Sequence, residues 1–334
     1  MKAIGYRTKG GVEVLTDIEL PRPTPGPRDL LVAVKAVSVN PVDTKRRQRE
    51  SPETASSYMV LGYDAAGTVE AVGSEVSLFK PGDEVFYAGA MDRPGTNAEF
   101  HLVDERIVGP KPKTLSFGEA AALPLTSITA WEMLFDRMRV PYGSKKPCGA
   151  LLVVNGAGGV GSIMIQLAAR LTGLTVIATA SRPETTEWVR ELGASHVADH
   201  SRRLDEAIKA IGFNGVDYVA AITTTPGSVP GIVAAIKPQG HITFIDNFDE
   251  SIQPFKAKSV TISWEMMFTR SLFQTDDMDA QHRLLSEVSA LVDAGVLRST
   301  LTQNLGRISV ENLRNAHLAV ESGRVIGKLV LEGF

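Results

Sequence analysis

Residues 151–161 read LLVVNGAGGVG, an aliphatic run that is followed directly by a glycine-rich turn. Three of the glycines fit the pattern G-x-G-x-x-G, and the amphipathic segment SIMIQLAARL comes next. In a strand–turn–helix setting, such glycines permit a tight turn, a close approach to a pyrophosphate and close helix packing. We predict that the turn binds a dinucleotide at the helix N-terminus through Gly156, Gly158, Gly159, Val160 and Gly161. Glycines that serve only a tight turn are the alternative.

The segments around this turn indicate an α/β protein with two domains. From about residue 117, apolar strand segments alternate with amphipathic helical segments, which is typical of a parallel sheet covered on both faces. Before it, short strand segments are separated by turns such as Pro25-Gly26-Pro27. The final strand segment, GKLVLEG, needs a sheet to join. We therefore predict a Rossmann-type doubly wound domain over residues 123–264, inserted into a β-rich domain formed by residues 1–122 and 265–334.

Composition excludes several classes of function. The 334 residues carry 35 basic and 38 acidic side chains, so the formal net charge of −3 gives no reason to expect binding to nucleic acid or to a membrane surface. An apolar run of about 18 residues, the length that a spanning helix needs, does not occur. The first residues lack the apolar core of a signal peptide. Cys148 is the single cysteine, which fits a reducing compartment, and we predict a cytoplasmic protein.

The end of the next strand segment, TVIATA, predicts which dinucleotide binds. An NAD site would place an acidic residue there to bind the ribose 2′-OH. The chain instead has Ser181 and Arg182, while Glu184 falls in the first turn of the following helix, after Pro183. A hydroxyl and a guanidinium suit a 2′-phosphate, so we predict NADP(H) rather than NAD(H). A solvated arginine beside a helix cap is the alternative.

Several motifs resemble those of the medium-chain dehydrogenase/reductase superfamily and occur in the same order as in that family. The resemblance is specifically to its quinone oxidoreductase branch, often labelled zinc-type alcohol dehydrogenase-like. They cover nearly the whole chain: SVNPVDTKRR (38–47), LGYDAAGTVEAVGSEVSLFKPGDEV (61–85), LPLTSITAWEML (123–134), VNGAGGVG (154–161), TASRPETTEWVRELGASHVADH (179–200) and GKLVLEG (327–333). The resemblance implies a GroES-like catalytic domain with an inserted Rossmann domain and an active site in the cleft between them. It also implies that Thr126 lies near the nicotinamide and that His200 is an auxiliary contact to the 2′-phosphate. A helix-packing threonine and a surface histidine are the alternatives.

The zinc ligands of this superfamily are missing from the chain. Zinc members have a cysteine where this sequence has Asn40 and a Gly-His-Glu motif where it has Gly62-Tyr63-Asp64, and their third ligand falls near Pro124. Catalytic zinc needs three thiolate, imidazole or carboxylate ligands, which these positions do not supply. The structural zinc lobe would need four cysteines. We therefore predict an enzyme without a metal.

Without a Lewis acid, the reduction of an unactivated carbonyl loses several kcal/mol of transition-state stabilisation. Conjugated acceptors need mainly positioning and hydrogen bonds to the developing oxyanion. We predict that Asn40, Lys45 and Tyr63 are catalytic, because an amide, an ammonium and a phenol can stabilise that charge or supply a proton. The alternatives are a turn residue before Pro41, a member of a solvated basic run, and a buried core tyrosine, respectively.

We predict an NADPH-dependent oxidoreductase that transfers hydride to a quinone or an α,β-unsaturated carbonyl without zinc. Zinc-type alcohol dehydrogenase-like activity and reduction of an enoyl-thioester are alternatives within the same enzyme class. A catalytically silent NADPH-binding structural or sensor protein is an alternative of another class. The expected partners are a small-molecule substrate and a second copy of the chain, since the resemblance and the segment SVTISWEMMF suggest a homodimer whose sheets join.

Overall fold

The computed structural model describes residues 1–54 and 56–334, which form two compact units. The first unit consists of Met1–Ile128 together with Phe268–Phe334, and the second is Thr129–Met267. The prediction of an α/β protein with a parallel doubly wound sheet is confirmed. The domain boundaries given above stay predictions. Within the described residues, no helix has both the length and the apolar character needed to cross a membrane.

The strands are numbered in chain order: β1 (Lys2–Tyr6), β2 (Thr16–Glu19), β3 (Asp29–Ser38), β4 (Met59–Val60), β5 (Ala65–Val72), β6 (Glu84–Tyr87), β7 (Phe100–Asp104), β8 (Val108–Pro110), β9 (Ala150–Val154), β10 (Thr175–Thr179), β11 (His196–Ala198), β12 (Val216–Ala221), β13 (Ile236–Phe244), β14 (Thr261–Trp264), β15 (Leu301–Asn304) and β16 (Lys328–Glu332).

The α-helices are numbered likewise: α1 (Pro41–Arg49), α2 (Phe117–Ala121), α3 (Pro124–Trp131), α4 (Gly159–Leu171), α5 (Pro183–Leu192), α6 (Leu204–Ala210), α7 (Val229–Ala235), α8 (Thr269–Leu272), α9 (Ala280–Asp293) and α10 (Val310–Glu321). In the described residues, short 3₁₀ segments are Val12–Val14, Glu105–Ile107 and Gln253–Lys258, and a π-helical segment, Glu132–Arg137, continues α3.

The second unit is built on a six-stranded sheet in the order β11-β10-β9-β12-β13-β14, with every pair parallel. Buried aliphatic side chains such as Leu152, Ile177 and Val219 form a core with residues of α6 and α7. The order runs outward in opposite directions from β9 and β12, so the chain reverses between these two strands. In doubly wound sheets, ligands bind outside the carboxyl ends of the strands at such a reversal.

The first unit contains two sheets whose strand pairs are antiparallel, except that β15 runs parallel to β16. One is a three-stranded sheet in the order β2-β1-β4, and the other is a seven-stranded sheet in which the long strand β3 pairs with β5, β7 and β16. The register of β16 against β3 sets Val330 opposite Ser38, so the end of the chain lies beside its first third. This pairing brings the last strand next to the loop that begins α1.

Candidate functional site

The glycine-rich turn connects β9 to α4 with little room for side chains. Gly156 N donates to Thr179 O at 3.2 Å, and α4 starts at Gly159. A methyl group added at Gly161 would lie 2.5 Å from Asn155 O and 2.6 Å from Gly156 O. One added at Gly156 would lie 2.8 Å from the Ala178 methyl carbon. The turn therefore requires glycine at its first and third motif positions.

The start of α4 has the chemistry that a pyrophosphate needs. The first turn of this 13-residue helix contains Gly159, Val160, Gly161 and Ser162, so it brings no carboxylate near the helix N-terminus. Amide groups in a first turn have no intrahelical acceptor and attract anions. The residues of the turn thus fit a dinucleotide. Their assignment as cofactor ligands stays a prediction.

Asn155 is a residue of this site that the sequence reasoning missed. It has a left-handed backbone with φ of 62°, and its Nδ2 donates to Thr223 Oγ1 at 3.1 Å. Asn155 follows β9 and Thr223 follows β12, so this hydrogen bond crosses the point where the strand order reverses. Asparagine tolerates the left-handed region better than most residues, which is a signal that the sequence did contain.

Two of the three residues predicted to bind a 2′-phosphate contact each other. Ser181 Oγ and His200 Nε2 are 3.0 Å apart, because these residues follow the neighbouring parallel strands β10 and β11. Arg182 precedes α5, whose first residue is Pro183, and its Nε lies 3.3 Å from Glu184 Oε1 in a half-exposed pair. A hydroxyl and an imidazole thus meet at the ends of two strands, and Arg182 is next to Ser181 in the chain. The phosphate they would bind stays a prediction.

In the first unit, Asn40 lies at the start of α1 with both ends of its amide engaged. Its Nδ2 donates to Asp64 Oδ2 at 2.7 Å, and its Oδ1 accepts a hydrogen bond from Lys328 Nζ. Nδ2 also lies 3.5 Å from Tyr63 O. The side chain is buried. The amide that we predicted as an oxyanion donor is therefore committed to protein partners.

Lys328 and Asp64 form a buried ion pair that sequence reasoning did not select. Lys328 is 4% exposed and Asp64 is fully buried. Lys328 Nζ lies 3.0 Å from Asp64 Oδ2 and donates to Val39 O at 3.1 Å. Leu125 N donates to the other Asp64 oxygen at 2.8 Å. The partners are 264 residues apart in the chain, and the one local signal was a lysine at the start of an apolar strand.

Asp43 ties the start of α1 to the loop before β5. Its two oxygens accept from Asn40 N at 2.8 Å and from Gly62 N at 2.9 Å. Burial raises the pKa of Asp43 to about 7, although these amides and Lys328 favour its charged form. The side chain is a structural acceptor between two loops.

Tyr63 is 1% exposed and is held by an arginine from the helix α1. Arg46 Nη1 donates to the Tyr63 hydroxyl and to Met91 O at 2.9 Å, while Arg46 Nε donates to Glu50 at 2.7 Å. Burial raises the pKa of Tyr63, more strongly than Arg46 lowers it, so the phenol stays neutral at physiological pH. The ring packs edge-on against Phe268 with centroids 5.3 Å apart.

The basic run Lys45-Arg46-Arg47 does not form one solvated face, which corrects that interpretation. Lys45 is exposed, but Arg47 is fully buried. Arg47 donates to Gly10 O at 3.1 Å, contacts His317 Nδ1 at 3.0 Å and pairs with Glu321. The cause is helical periodicity, which puts Arg47 on the same face as the buried Asp43.

Thr126 lies in the first turn of α3 and is buried. Its Oγ1 donates to Leu123 O at 3.1 Å, the kind of local hydrogen bond that a threonine often makes in a helix. A contact to a nicotinamide stays a prediction.

The residues at the former metal positions do not fit zinc. Asn40 presents an amide that is already engaged, Tyr63 a neutral phenol bound by Arg46, and Pro124 has no side-chain donor. In residues 1–54 and 56–334, no three or more His, Cys, Asp or Glu side chains are grouped so that they could hold a metal ion. The chemistry of the donor set is therefore wrong for this ion.

The chain is similar to known proteins over its whole length. Residues 26–113 match the alcohol dehydrogenase GroES-like domain family, and residues 159–287 match the zinc-binding dehydrogenase family. A zinc-type alcohol dehydrogenase-like protein of Staphylococcus aureus (strain MRSA252) is 44% identical over 99% of both chains. A chloroplastic NADPH-dependent alkenal/one oxidoreductase of Arabidopsis thaliana is 38% identical over 72% of this chain and 64% of its own.

Solved structures share the fold closely. A proposed zinc-dependent alcohol dehydrogenase from Rhizobium etli superposes with a TM-score of 0.95 at 56% identity, covering 100% of this chain and 98% of the other. The quinone oxidoreductase from Coxiella burnetii superposes with a TM-score of 0.82 at 28% identity, covering 99% of both chains.

Proposed function

Because the chain belongs to the medium-chain dehydrogenase/reductase superfamily, whose members are oxidoreductases, we propose that it reduces quinones or α,β-unsaturated carbonyls with NADPH and without zinc. The observation that carries this proposal is the chemistry at residues 40, 63 and 124, where an engaged amide, a neutral phenol and a proline replace metal ligands. The alkenal/one and quinone oxidoreductases among the similar proteins support the same class of acceptor.

The cofactor proposal rests on residues of the second unit. The amides at the start of α4 would hold the pyrophosphate, and Gly156 and Gly161 allow the tight turn that leads into this helix. Ser181, Arg182 and His200 would bind the 2′-phosphate. NADPH, when bound, supplies a hydride. We also propose that Thr126 lies beside the nicotinamide, as the family resemblance implies.

The acceptor proposal follows from what the chain offers in place of a Lewis acid. Zinc would polarise an isolated carbonyl and so stabilise the transition state by several kcal/mol. Hydrogen-bond donors alone suffice more readily when conjugation spreads the delivered charge over several atoms. Quinones and enones have this property, whereas saturated aldehydes do not.

We propose different roles for the three candidate catalytic residues. The Tyr63 oxygen accepts from Arg46, so its own proton is directed to another acceptor, such as a developing oxyanion. The Asn40 amide is engaged on both sides and would orient the loop rather than donate to the substrate. Lys45 is exposed and would exchange protons with solvent while supplying one to the product enolate.

A panel of acceptors tests the function. Oxidation of NADPH is followed with a benzoquinone, a 2-alkenal, the matching saturated aldehyde and a 2-enoyl thioester. We expect turnover with the quinone or the alkenal and little with the saturated aldehyde. Preference for the thioester would move the substrate to the alternative acceptor class. NADPH binding without oxidation across the panel would refute the enzyme and favour a silent binding protein.

We further propose a cytoplasmic homodimer. The single cysteine supports the cytoplasmic location. The dimer is supported by the resemblance to the family and by β14, an edge strand of the parallel sheet that ends in the half-exposed Trp264. Two such edges related by a two-fold axis could form one continuous sheet.

A further inference from the structure

One face of the helix α1 holds the loop that carries Tyr63. Asp43 accepts a hydrogen bond from Gly62 N at 2.9 Å, and Arg46 donates to the Tyr63 hydroxyl. Asp43 and Arg46 are three residues apart, so they lie on the same face of the helix. The helix therefore fixes both the backbone just before Tyr63 and the oxygen at the end of its side chain.

The Arg46 guanidinium is itself held in place. Its Nε and Nη2 lie 2.7 Å and 2.6 Å from Glu50 Oε2, four residues further along the chain. Its Nη1 donates to Met91 O at 2.9 Å as well as to Tyr63. All three nitrogens are thus engaged, and the side chain is only 13% exposed. A guanidinium held at each nitrogen presents a donor of fixed position to the phenol.

We infer that Arg46 is a positioning residue that makes the Tyr63 hydroxyl an obligate donor toward the oxygen of the acceptor. A guanidinium has five donors and no acceptor, so the Tyr63 proton cannot point toward it. The phenol oxygen accepts from Arg46, and its proton is left for a different oxygen. This role of Arg46 rests on the proposed oxyanion stabilisation by Tyr63, and it adds the residue that sets the direction of that hydrogen bond.

The charge of Arg46 also strengthens the donor. Burial raises the pKa of Tyr63, and Arg46 opposes that rise through its charge and its hydrogen bond. The phenol therefore stays neutral and keeps its proton, while the neighbouring positive charge makes this proton easier to share with a developing oxyanion. A tyrosine without such a partner would rotate its hydroxyl between accepting and donating, which weakens stabilisation of the transition state.

The hydrogen-bond state of Tyr63 can be measured without any turnover. The intensity ratio of the tyrosine Fermi doublet in ultraviolet resonance Raman spectra distinguishes a phenol that accepts a hydrogen bond from one that only donates. Subtracting the spectrum of the matching Tyr63→Phe protein isolates this residue from the other tyrosines of the chain, which has six. We expect the ratio of an acceptor in the wild type and a lower ratio in Arg46→Met. Equal ratios in these two proteins would overturn the inference, and so would a donor-only ratio in the wild type, even if Arg46→Met failed to fold.

A double-mutant cycle connects this hydrogen bond to the reaction. With the best acceptor, Arg46→Met should lower kcat by about tenfold and leave the affinity for NADPH unchanged, because the transition state loses an oriented hydrogen bond. In the Tyr63→Phe background, the same substitution should change kcat by no more than about twofold. Arg46→Lys keeps one donor and should recover part of the loss. Two losses that multiply would show that Arg46 does not act through Tyr63.

Arg283→Met is the matched control, because Arg283 also pairs with an acid four residues away, but its side chain is 61% exposed. Its kcat and its Raman ratio should equal those of the wild type. If no acceptor of the panel is reduced, the proposed reaction fails and the Raman ratio alone decides the role of Arg46. If acceptors are reduced but the ratio does not change or the two losses multiply, the reaction stands and the role of Arg46 is refuted.

Discussion

Arg182 is the residue on which our proposal of NADPH as the cofactor depends most. It follows β10 beside the Ser181–His200 pair, with a side chain that is 39% exposed. We predict that Arg182→Ala weakens NADPH binding by roughly tenfold, the loss of one solvent-screened charge-assisted hydrogen bond, and leaves NADH binding unchanged. Fluorescence titration with both cofactors measures the effect. Equal affinities for NADPH and NADH in the wild type, unchanged in the variant, would remove the proposal.

Tyr63 is the residue to which we assign stabilisation of the oxyanion in the proposed reaction. We predict that Tyr63→Phe lowers kcat by about tenfold or more with NADPH affinity unchanged, because a single transition-state hydrogen bond is lost.

Lys45→Met should lower kcat mainly at high pH, where protons are scarce. If both variants kept wild-type turnover with the best acceptor, neither residue would have the proposed role.

For single residues, the sequence allowed us to select candidate site residues from local motifs, but it did not predict contacts between residues that are distant in the chain. The spacing of glycines and the polar end of β10 were local signals, and Ser181 and His200 do meet. The contacts of Lys328 could not be predicted, because its partners lie 264 to 289 residues away in the chain. Arg46 was missed because three adjacent basic residues look alike, although a helix directs each of them to a different face.

The β9–α4 turn is the element whose geometry is most demanding. We predict that Gly161→Ala lowers Tm by several degrees and abolishes NADPH binding, because the added methyl group would lie 2.5 Å from Asn155 O. Gly231→Ala in α7 is the control, since its methyl group would meet no atom closer than 3.4 Å. Thermal melts with and without NADPH separate the two effects. Normal cofactor binding by Gly161→Ala would show that the close packing of residue 161 against Asn155 O is not required for the cofactor to bind.

A buried acid pair links the π-helical segment to the end of β14. Glu132 and Glu265 hydrogen-bond to each other, and Arg137 Nε lies 2.8 Å from Glu265 Oε2. Burial and the charge of Glu132 raise the pKa of Glu265 to about 9, although Arg137 opposes the shift. The folded chain therefore keeps a proton that the unfolded chain releases above its ordinary pKa.

This protonation predicts how stability depends on pH. The contribution of Glu265 is fully present below about pH 4.5 and is lost as the pH rises toward about 9, because the folded state binds the extra proton only in that window. Glu265→Gln should therefore reduce the fall of Tm between pH 6 and pH 9. Glu184→Gln, whose side chain is 56% exposed, is the control. An unchanged fall in Glu265→Gln would refute the shifted pKa.

The elements themselves were largely predictable, because apolar strands and amphipathic helices in the second unit have strong periodicity. In the first unit, β16 (Lys328–Glu332) lies within the predicted final strand segment GKLVLEG. The π-helical segment Glu132–Arg137 was not predicted, since its hydrogen bonds span one residue more than those of an α-helix and this difference leaves no distinct pattern in sequence.

The proposed dimer concerns the edge of the parallel sheet. Strand β14 is at the edge of the sheet, and its last residue, Trp264, is 48% exposed. We predict that the protein is a dimer by light scattering and that Trp264→Glu shifts it toward monomer, because a charge on the paired edge would be desolvated. Leu318→Glu, at a position 51% exposed on α10, should leave the dimer intact. A monomeric wild type would contradict the homodimer.

The architecture follows from a chain whose two ends belong to one unit. The alternation of strands and helices predicted the inserted domain, and the unpaired final strand predicted a return to the first sheet, where β16 pairs with β3. Register could not be predicted, because nothing local fixes Val330 opposite Ser38. That register is what sets Lys328 against Asn40.

The central claim is that this chain reduces conjugated acceptors with NADPH and without a metal. Its most direct test is the rate of NADPH oxidation by chelator-treated, metal-analysed enzyme with a 2-alkenal and with the matching saturated aldehyde. We predict turnover of the alkenal that zinc does not increase, and a rate with the saturated aldehyde lower by about 100-fold or more, a difference of some 3 kcal/mol in activation. Reduction of the saturated aldehyde that appears only when zinc is restored would contradict the account.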